Sequence, residues 1–144
     1  MKVYLSRRYH FSASHRLHND AYTPEQNRAT YGKCNNPYGH GHNYVVRITV
    51  SGPMDPVTGM VCNLVELDGF VRRVICERFD HKNLNLDSAF EKLVPTTENL
   101  CREIYRIVKS GFAHVMLEDV RVDETSNNSF ESSEREWHLI SARQ

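Results

Sequence analysis

Two stretches of this 144-residue chain alternate residue by residue, and that pattern constrains the fold more than any other feature. In VYLSRRYHFSASH, residues 3–15, Val3, Leu5, Tyr9, Phe11 and Ala13 share one parity, interrupted by Arg7, and His15 falls in phase with them. In residues 42–51, Tyr44, Val46, Ile48 and Val50 share a face, and His40 and His42 have the same parity. Successive side chains of a strand point to opposite sides of the sheet. Both stretches therefore read as half-buried strands, each with histidine at one end of its apolar face.

From Asn63 the period lengthens. Leu64, Leu67, Val71, Val74, Ile75 and Arg78 form a helical stripe, with Asn63 as N-cap and Glu66 three residues on. Gly69 inside it weakens the helix slightly. A second helix is expected after Thr96 or Thr97, with Leu100, Ile104, Ile107 and Val108 on one face and Gly111 as its stop. Residues 113–124 read as a strand with Val120, Val122 and Glu124 in phase, and Trp137 to Ile140 as a short last strand. Residues 19–33 and 80–95 read as loops, and SGPMDPVTGMV as a turn-rich connection. Strands, then a helix pair, then strands, with no sustained βαβ alternation, predict an α+β domain with an antiparallel sheet and helices on one face. Such a sheet leaves edge strands that need cover or partners.

The length suits one domain, here 1–144. Lys plus Arg equals Asp plus Glu at 18 each, so the basic excess of a nucleic-acid binder is missing. No apolar run has bilayer length, and MKVYLSRRYHFSASH lacks the apolar core of a secretory signal. Cys34, Cys62, Cys76 and Cys101 are far apart, with no C-x-x-C pair, which fits reduced thiols. The expectation is a cytoplasmic protein that touches neither nucleic acid nor membrane. Met54, Met60 and Met116 read as packing residues, and the Arg pairs at 7–8 and 72–73 as solvated faces.

The histidines carry the chemistry. In a strand, residues i and i+2 lie on one side about 6.6 Å apart. His40 and His42 can thus converge on one ion, with Zn–N bonds of about 2.0–2.1 Å. His15, ending the other strand on its apolar face, is the best third ligand. Three histidines with an open position make a catalytic arrangement; a closed structural site would recruit a fourth ligand, and Cys34 is the obvious one.

FSASHRLH (11–18), YGKCNNPYGHGHNY (31–44), DPVTGMV (55–61), DHKNLN (80–85), PTTEN (95–99) and VDETSNN (122–128) together resemble the 6-pyruvoyl-tetrahydropterin synthase family in order and spacing. The resemblance implies a tunnelling fold: a four-stranded antiparallel sheet with two helices on one face, joined by three subunits into a barrel, with two trimers stacked as a hexamer. It implies zinc held by His15, His40 and His42, catalytic Cys34, and an Asp80–His81 pair supplied across a subunit interface. It also implies pterin contacts from Glu124, Thr96 and Thr97, Glu124 being the anchor. The implied substrate is dihydroneopterin triphosphate, which loses triphosphate while its side chain rearranges to a dicarbonyl without an external redox cofactor.

Five residues, NNPYG, separate Cys34 from His40, as in the biopterin-pathway members. The 6-carboxy-tetrahydropterin synthases of queuosine biosynthesis typically have a shorter gap and are the alternative. A zinc-stabilised pterin-binding protein without turnover is a third reading; its signature would be loss of Cys34 or His81, and both are present. After Asn128 the tail is longer and more charged than the family pattern.

Overall fold

The computed structural model describes residues 1–134. β1 (Val3–His15) and β2 (His40–Gly52) are the long strands the alternation predicts, paired antiparallel along their whole length. β4 (Met116–Asp123) pairs with β2, and β5 (Ser129–Ser132) with β4, both antiparallel. With β3 at Lys82–Asn83, the sheet order is β3-β1-β2-β4-β5. The expected four-stranded antiparallel sheet is therefore corrected to a mixed sheet of five strands, because β3 (Lys82–Asn83) runs parallel to β1 beside Ala13 and Ser14. Its cause is local. The Asp80 carboxylate accepts the Ser12 N–H at 2.9 Å, and the His81 N–H donates to Ser12 O at 2.6 Å. These two bonds pin the chain alongside β1.

α2 (Leu64–Val71) starts where expected. The Asn63 side chain accepts from the N–H groups of Val65 and Glu66, satisfying donors that lack partners inside the helix. The helix continues through a π-turn, Arg72–Cys76, into α3 (Glu77–Phe79). α4 (Thr97–Gly111) is capped by Thr96, whose side chain accepts the Asn99 N–H, and it buries Leu100, Cys101, Ile104 and Val108. Gly111 is the last residue of this helix, and its missing side chain makes room for a neighbour: a Cβ there would lie 2.6 Å from the Phe70 ring.

These helices and the inward residues of the sheet share one core, which includes Tyr9, Phe11, Tyr44, Val46, Ile48, Leu67, Ile75 and Ile104. Fully burying each aliphatic side chain contributes about 1.5–3 kcal/mol. The other face of the sheet carries polar residues. At Arg7 the inward row of β1 is interrupted by an ion pair with Asp68 of α2 at 2.8 Å before Leu5 rejoins the core, so this arginine is not merely a solvated face.

Three further departures from the sequence reading appear. Residues 19–33 hold a helix, α1 (Pro24–Tyr31), closed by a capping box between Thr23 and Gln26. Met54, Met60 and Met116 are exposed rather than packed. β5 lies at residues with no alternating apolar pattern, while the strand expected at Trp137–Ile140 falls outside the described residues. No helix among the described residues is long and apolar enough to cross a membrane.

Candidate metal centre and active site

The register of β1 on β2 places His15 directly opposite His40, with Ala13 opposite His42. All three imidazoles fall on the core-facing side at one end of the sheet. Their rings stand nearly perpendicular, with interplanar angles of 74°, 90° and 88° and centroids 4.7–5.1 Å apart. His15 Nε2 is 3.1 Å from His40 Nε2. Two nitrogens bound tetrahedrally to one zinc would be about 3.3 Å apart, given Zn–N bonds of 2.0–2.1 Å.

Glu124 follows directly on β4, in phase with buried Val120 and Val122. Its Oε1 lies 2.9 Å from His42 Nε2 and 3.9 Å from His15 Nε2. The short His42 contact lacks hydrogen-bond geometry, so His42 Nε2 remains a buried nitrogen without a hydrogen-bond partner, as does His40 Nδ1. Donor atoms of His15, His40, His42 and Glu124 all lie within 4.8 Å of one another. Orphaned buried nitrogens beside a carboxylate fit a divalent cation, since buried polar atoms otherwise require partners.

Second-layer contacts orient these donors. His15, 1% exposed, has Nδ1 2.8 Å from the Pro95 carbonyl. That carbonyl accepts an N–H, which puts the proton on Nδ1 and leaves Nε2 a free lone pair aimed at the cluster. Burial holds the His15 pKa below its ordinary value, outweighing the Pro95 bond, and burial does the same to His42 against the pull of Glu124. Both therefore favour the neutral, ligating form. The Thr97 hydroxyl donates to Glu124 Oε2 at 2.8 Å, and Asn128 Nδ2 donates to the same oxygen at 3.3 Å. Gly39, at φ +71°, brings the chain so close to β1 that a Cβ would sit 2.8 Å from His15 O. Only glycine tolerates that approach.

Cys34 lies in the 3-10 turn Gly32–Asn35, and its carbonyl accepts the Leu17 N–H at 2.8 Å. Its sulfur is outside the group of convergent donors. Burial, then the Glu124 charge, pushes its thiol above the ordinary value. The protein alone thus does not make it a thiolate; that requires a nearby cation.

Asp80 and His81 form a pair, with Asp80 Oδ2 3.0 Å from His81 Nδ1. The Ser12 N–H is the main reason the Asp80 carboxyl sits below the usual carboxylate range. His81 has φ +57° and a side chain 83% exposed. One shallow cavity of ≈ 530 Å³ borders both His42 and His81.

The structure thus brings together His15, His40, His42, Glu124 and Thr97. Thr96 is occupied as a helix cap, and the Asp80–His81 pair stands apart at the sheet edge. Sequence reasoning missed Pro95, Asn128, Gly39 and Tyr44 as parts of the site. Pro95 and Asn128 sit inside the PTTEN and VDETSNN blocks, and Tyr44 shares the parity of the histidines. The buried Tyr44 hydroxyl has no hydrogen-bond partner of good geometry, and burial raises its pKa.

An α+β fold with an imidazole triad at one sheet end, backed by a carboxylate, defines a protein with a donor group that could hold a metal ion. Comparisons with known proteins place it more narrowly. The family model described as 6-pyruvoyl tetrahydropterin synthase matches residues 4–135. The 6-pyruvoyl tetrahydrobiopterin synthase of Poecilia reticulata is 47% identical over 126 residues, 87% of this chain and 86% of that protein. The Homo sapiens protein of the same name is 46% identical over 125 residues, 86% of each chain. A solved structure of Caenorhabditis elegans 6-pyruvoyl tetrahydropterin synthase superposes with a TM-score of 0.84 at 36% identity, covering 92% of this chain and 96% of that one. The chain belongs to the 6-pyruvoyl tetrahydropterin synthase family.

Proposed function

We propose that this protein is a zinc-dependent 6-pyruvoyl-tetrahydropterin synthase, a carbon-oxygen lyase acting on a phosphate ester. Its substrate is 7,8-dihydroneopterin triphosphate. Elimination of triphosphate is coupled to an internal redox rearrangement of the side chain, so no outside oxidant is needed. The observation that carries the reading is the convergence of His15, His40 and His42 in a chain 46–47% identical to two proteins named for this activity.

His15, His40 and His42 hold the ion through their convergent nitrogens. When bound, zinc polarises the side-chain oxygens of the substrate and stabilises negative charge as a C–H proton leaves. Cys34, beside that charge but outside the donor group, accepts the proton as thiolate. Asp80 orients His81 through the 3.0 Å contact, and His81 relays protons into the site of a neighbouring subunit. Its exposure at a sheet edge suits that role. Glu124 accepts the pterin amino group and ring N–H together, a charge-assisted pair. Thr97 keeps one oxygen of that carboxylate in place, and Thr96 adds a polar contact beside its capping role. The single 1–144 domain works as a cytoplasmic homohexamer, a dimer of trimers with sheets joined into a barrel. Edge strands on both sides of the sheet support this.

The test is turnover of 7,8-dihydroneopterin triphosphate by the zinc-loaded protein, with the product identified by mass. Release of triphosphate with a 6-pyruvoyl product is the expected result. Release of acetaldehyde would assign the 6-carboxy reaction of queuosine biosynthesis instead. Pterin binding without turnover would reduce the protein to a binding module.

A further inference from the structure

β1 loses its ladder partner just where the histidine cluster lies. Its pairing with β2 ends at His15 opposite His40, and the chain before His40 leaves the sheet through Gly39 and the turn Gly32–Asn35. Backbone groups beyond that point still need partners. Arg16 and Leu17 find theirs on opposite sides, as alternation along a strand requires. The Asn85 side chain accepts the Arg16 N–H at 2.7 Å and donates to Arg16 O at 2.8 Å, so one amide stands in for a strand. Leu17 faces the other way. Its N–H donates to Cys34 O at 2.8 Å, and its O accepts from Asn35 Nδ2 at 2.8 Å.

Asn35 is 9% exposed, and its amide uses both of its donors. A carbonyl only accepts, so the atom facing Leu17 O is the amide nitrogen rather than the oxygen. The same nitrogen lies 3.0 Å from His18 Nδ1, which must accept, because an amide nitrogen has only hydrogens to offer. The main chain adds a third tie, from Arg16 Nε to Asn35 O at 3.3 Å. Arg16, Leu17 and His18 are thus all fastened to Asn35, and the residue before it is Cys34. The Asn36 N–H bonds back to Lys33 O at 3.2 Å, which shapes the turn without placing it. Aspartate would fit the same space, but its ionised carboxylate donates nothing.

We infer that Asn35 is a positioning residue for Cys34. Its amide holds the turn of Cys34 against Leu17 and His18, and so fixes the thiol relative to the ion that His15, at the end of β1, helps to hold. The inference rests on the role proposed above for Cys34 and adds the group that sets where its sulfur stands. A nearby cation favours the thiolate, and that effect weakens with distance. A displacement of about 1 Å caused away from the chemistry can cost about 10²-fold in rate. Without the amide, Leu17 O and His18 Nδ1 both lose a donor, and the turn keeps only the Leu17 N–H and the Arg16 contact to these residues.

Two readouts separate positioning from a merely structural role. The first is alkylation of Cys34 by iodoacetamide, followed by peptide mass, in zinc-loaded and zinc-free protein. Zinc is expected to speed this alkylation in the unaltered protein. Asn35→Ala is expected to lose roughly threefold or more of that acceleration while binding the same amount of zinc. Asn35→Asp, equal in size but unable to donate, is expected to match Asn35→Ala. Asn63→Ala, which uncaps α2 instead, is expected to keep the full acceleration, so general loosening does not explain the effect. The second readout is a kinetic cycle. Asn35→Ala is expected to lower kcat about 10–100-fold with KM within about twofold, yet to cost nothing further in a Cys34→Ala background. The inference is overturned if both Asn35 variants keep the zinc acceleration, or if the loss in kcat is as large without Cys34 as with it. Absence of any zinc acceleration in the unaltered protein would instead overturn the proposed role of Cys34 itself, so the two failures differ.

Discussion

His15 shows how little freedom the site leaves its parts. One nitrogen is committed to the Pro95 carbonyl and the other points into the cluster, so a single hydrogen bond decides which atom is available to a cation. Cys34 is the opposite case, since burial and Glu124 oppose its ionisation and only a cation nearby reverses this. Replacing Cys34 with Ala is predicted to leave metal content intact while kcat falls about 10²–10⁴-fold; elemental analysis beside steady-state kinetics checks this. Lost metal would make the sulfur a ligand. Thr97→Val keeps shape and burial but removes the hydroxyl that holds Glu124. It is predicted to lower kcat/KM about 10–100-fold, chiefly through KM, as expected for a hydrogen bond to a charged group worth about 1.5–3 kcal/mol. The parity that puts His15, His40 and His42 on one face was legible in the sequence. The carboxylate 2.9 Å from His42 was not, because phase alone places Glu124 on the correct face without saying how far β4 carries it along β2.

At the scale of elements, β1, β2, the Asn63 cap and α4 declared themselves through strong periodicity and capping chemistry. α1 did not, because its only buried residue is Asn27 and no apolar stripe marks it. Its signal was Thr-Pro-Glu-Gln, a capping pattern with Pro at the first turn. β3 exists through Asp80 and His81 gripping Ser12, a tertiary cause invisible in local pattern. Within α3, Arg78 ties three segments together, bonding Asp87 at 2.6 and 2.8 Å and Glu103 of α4 at 3.2 Å. Arg78 is the main reason the Asp87 carboxyl sits below its ordinary range; Glu103 is held low first by Arg106 and then by Arg78. Carboxylates with depressed folded-state pKa values stabilise above the ordinary carboxylate range, and that contribution disappears as pH falls through the folded values. Arg78→Ala is predicted to destabilise by about 1–2 kcal/mol at pH 7, discounted for partial exposure. Its stability should also decline less steeply below about pH 4 than that of the unaltered protein. Urea unfolding across pH 3–7 measures both.

For the molecule as a whole, core and site are adjacent but separable. Tyr44, Val46 and Ile48 pack with the helices in an apolar core, and His15 and His42 meet it at one end through Tyr44. Chelation is therefore predicted to preserve the far-UV circular dichroism, abolish turnover and lower Tm by roughly 5 °C or more, since a ligand that binds only the folded state stabilises by mass action. Added zinc should restore both. Collapse of secondary structure on chelation would mean that the ion builds the fold rather than serving the site. X-ray absorption at the zinc edge on the zinc-loaded protein reads directly which side chains hold the ion. Three imidazole nitrogens at about 2.0–2.1 Å and no sulfur are expected around the ion. A sulfur scatterer near 2.3 Å, or fewer than three imidazoles, would contradict it.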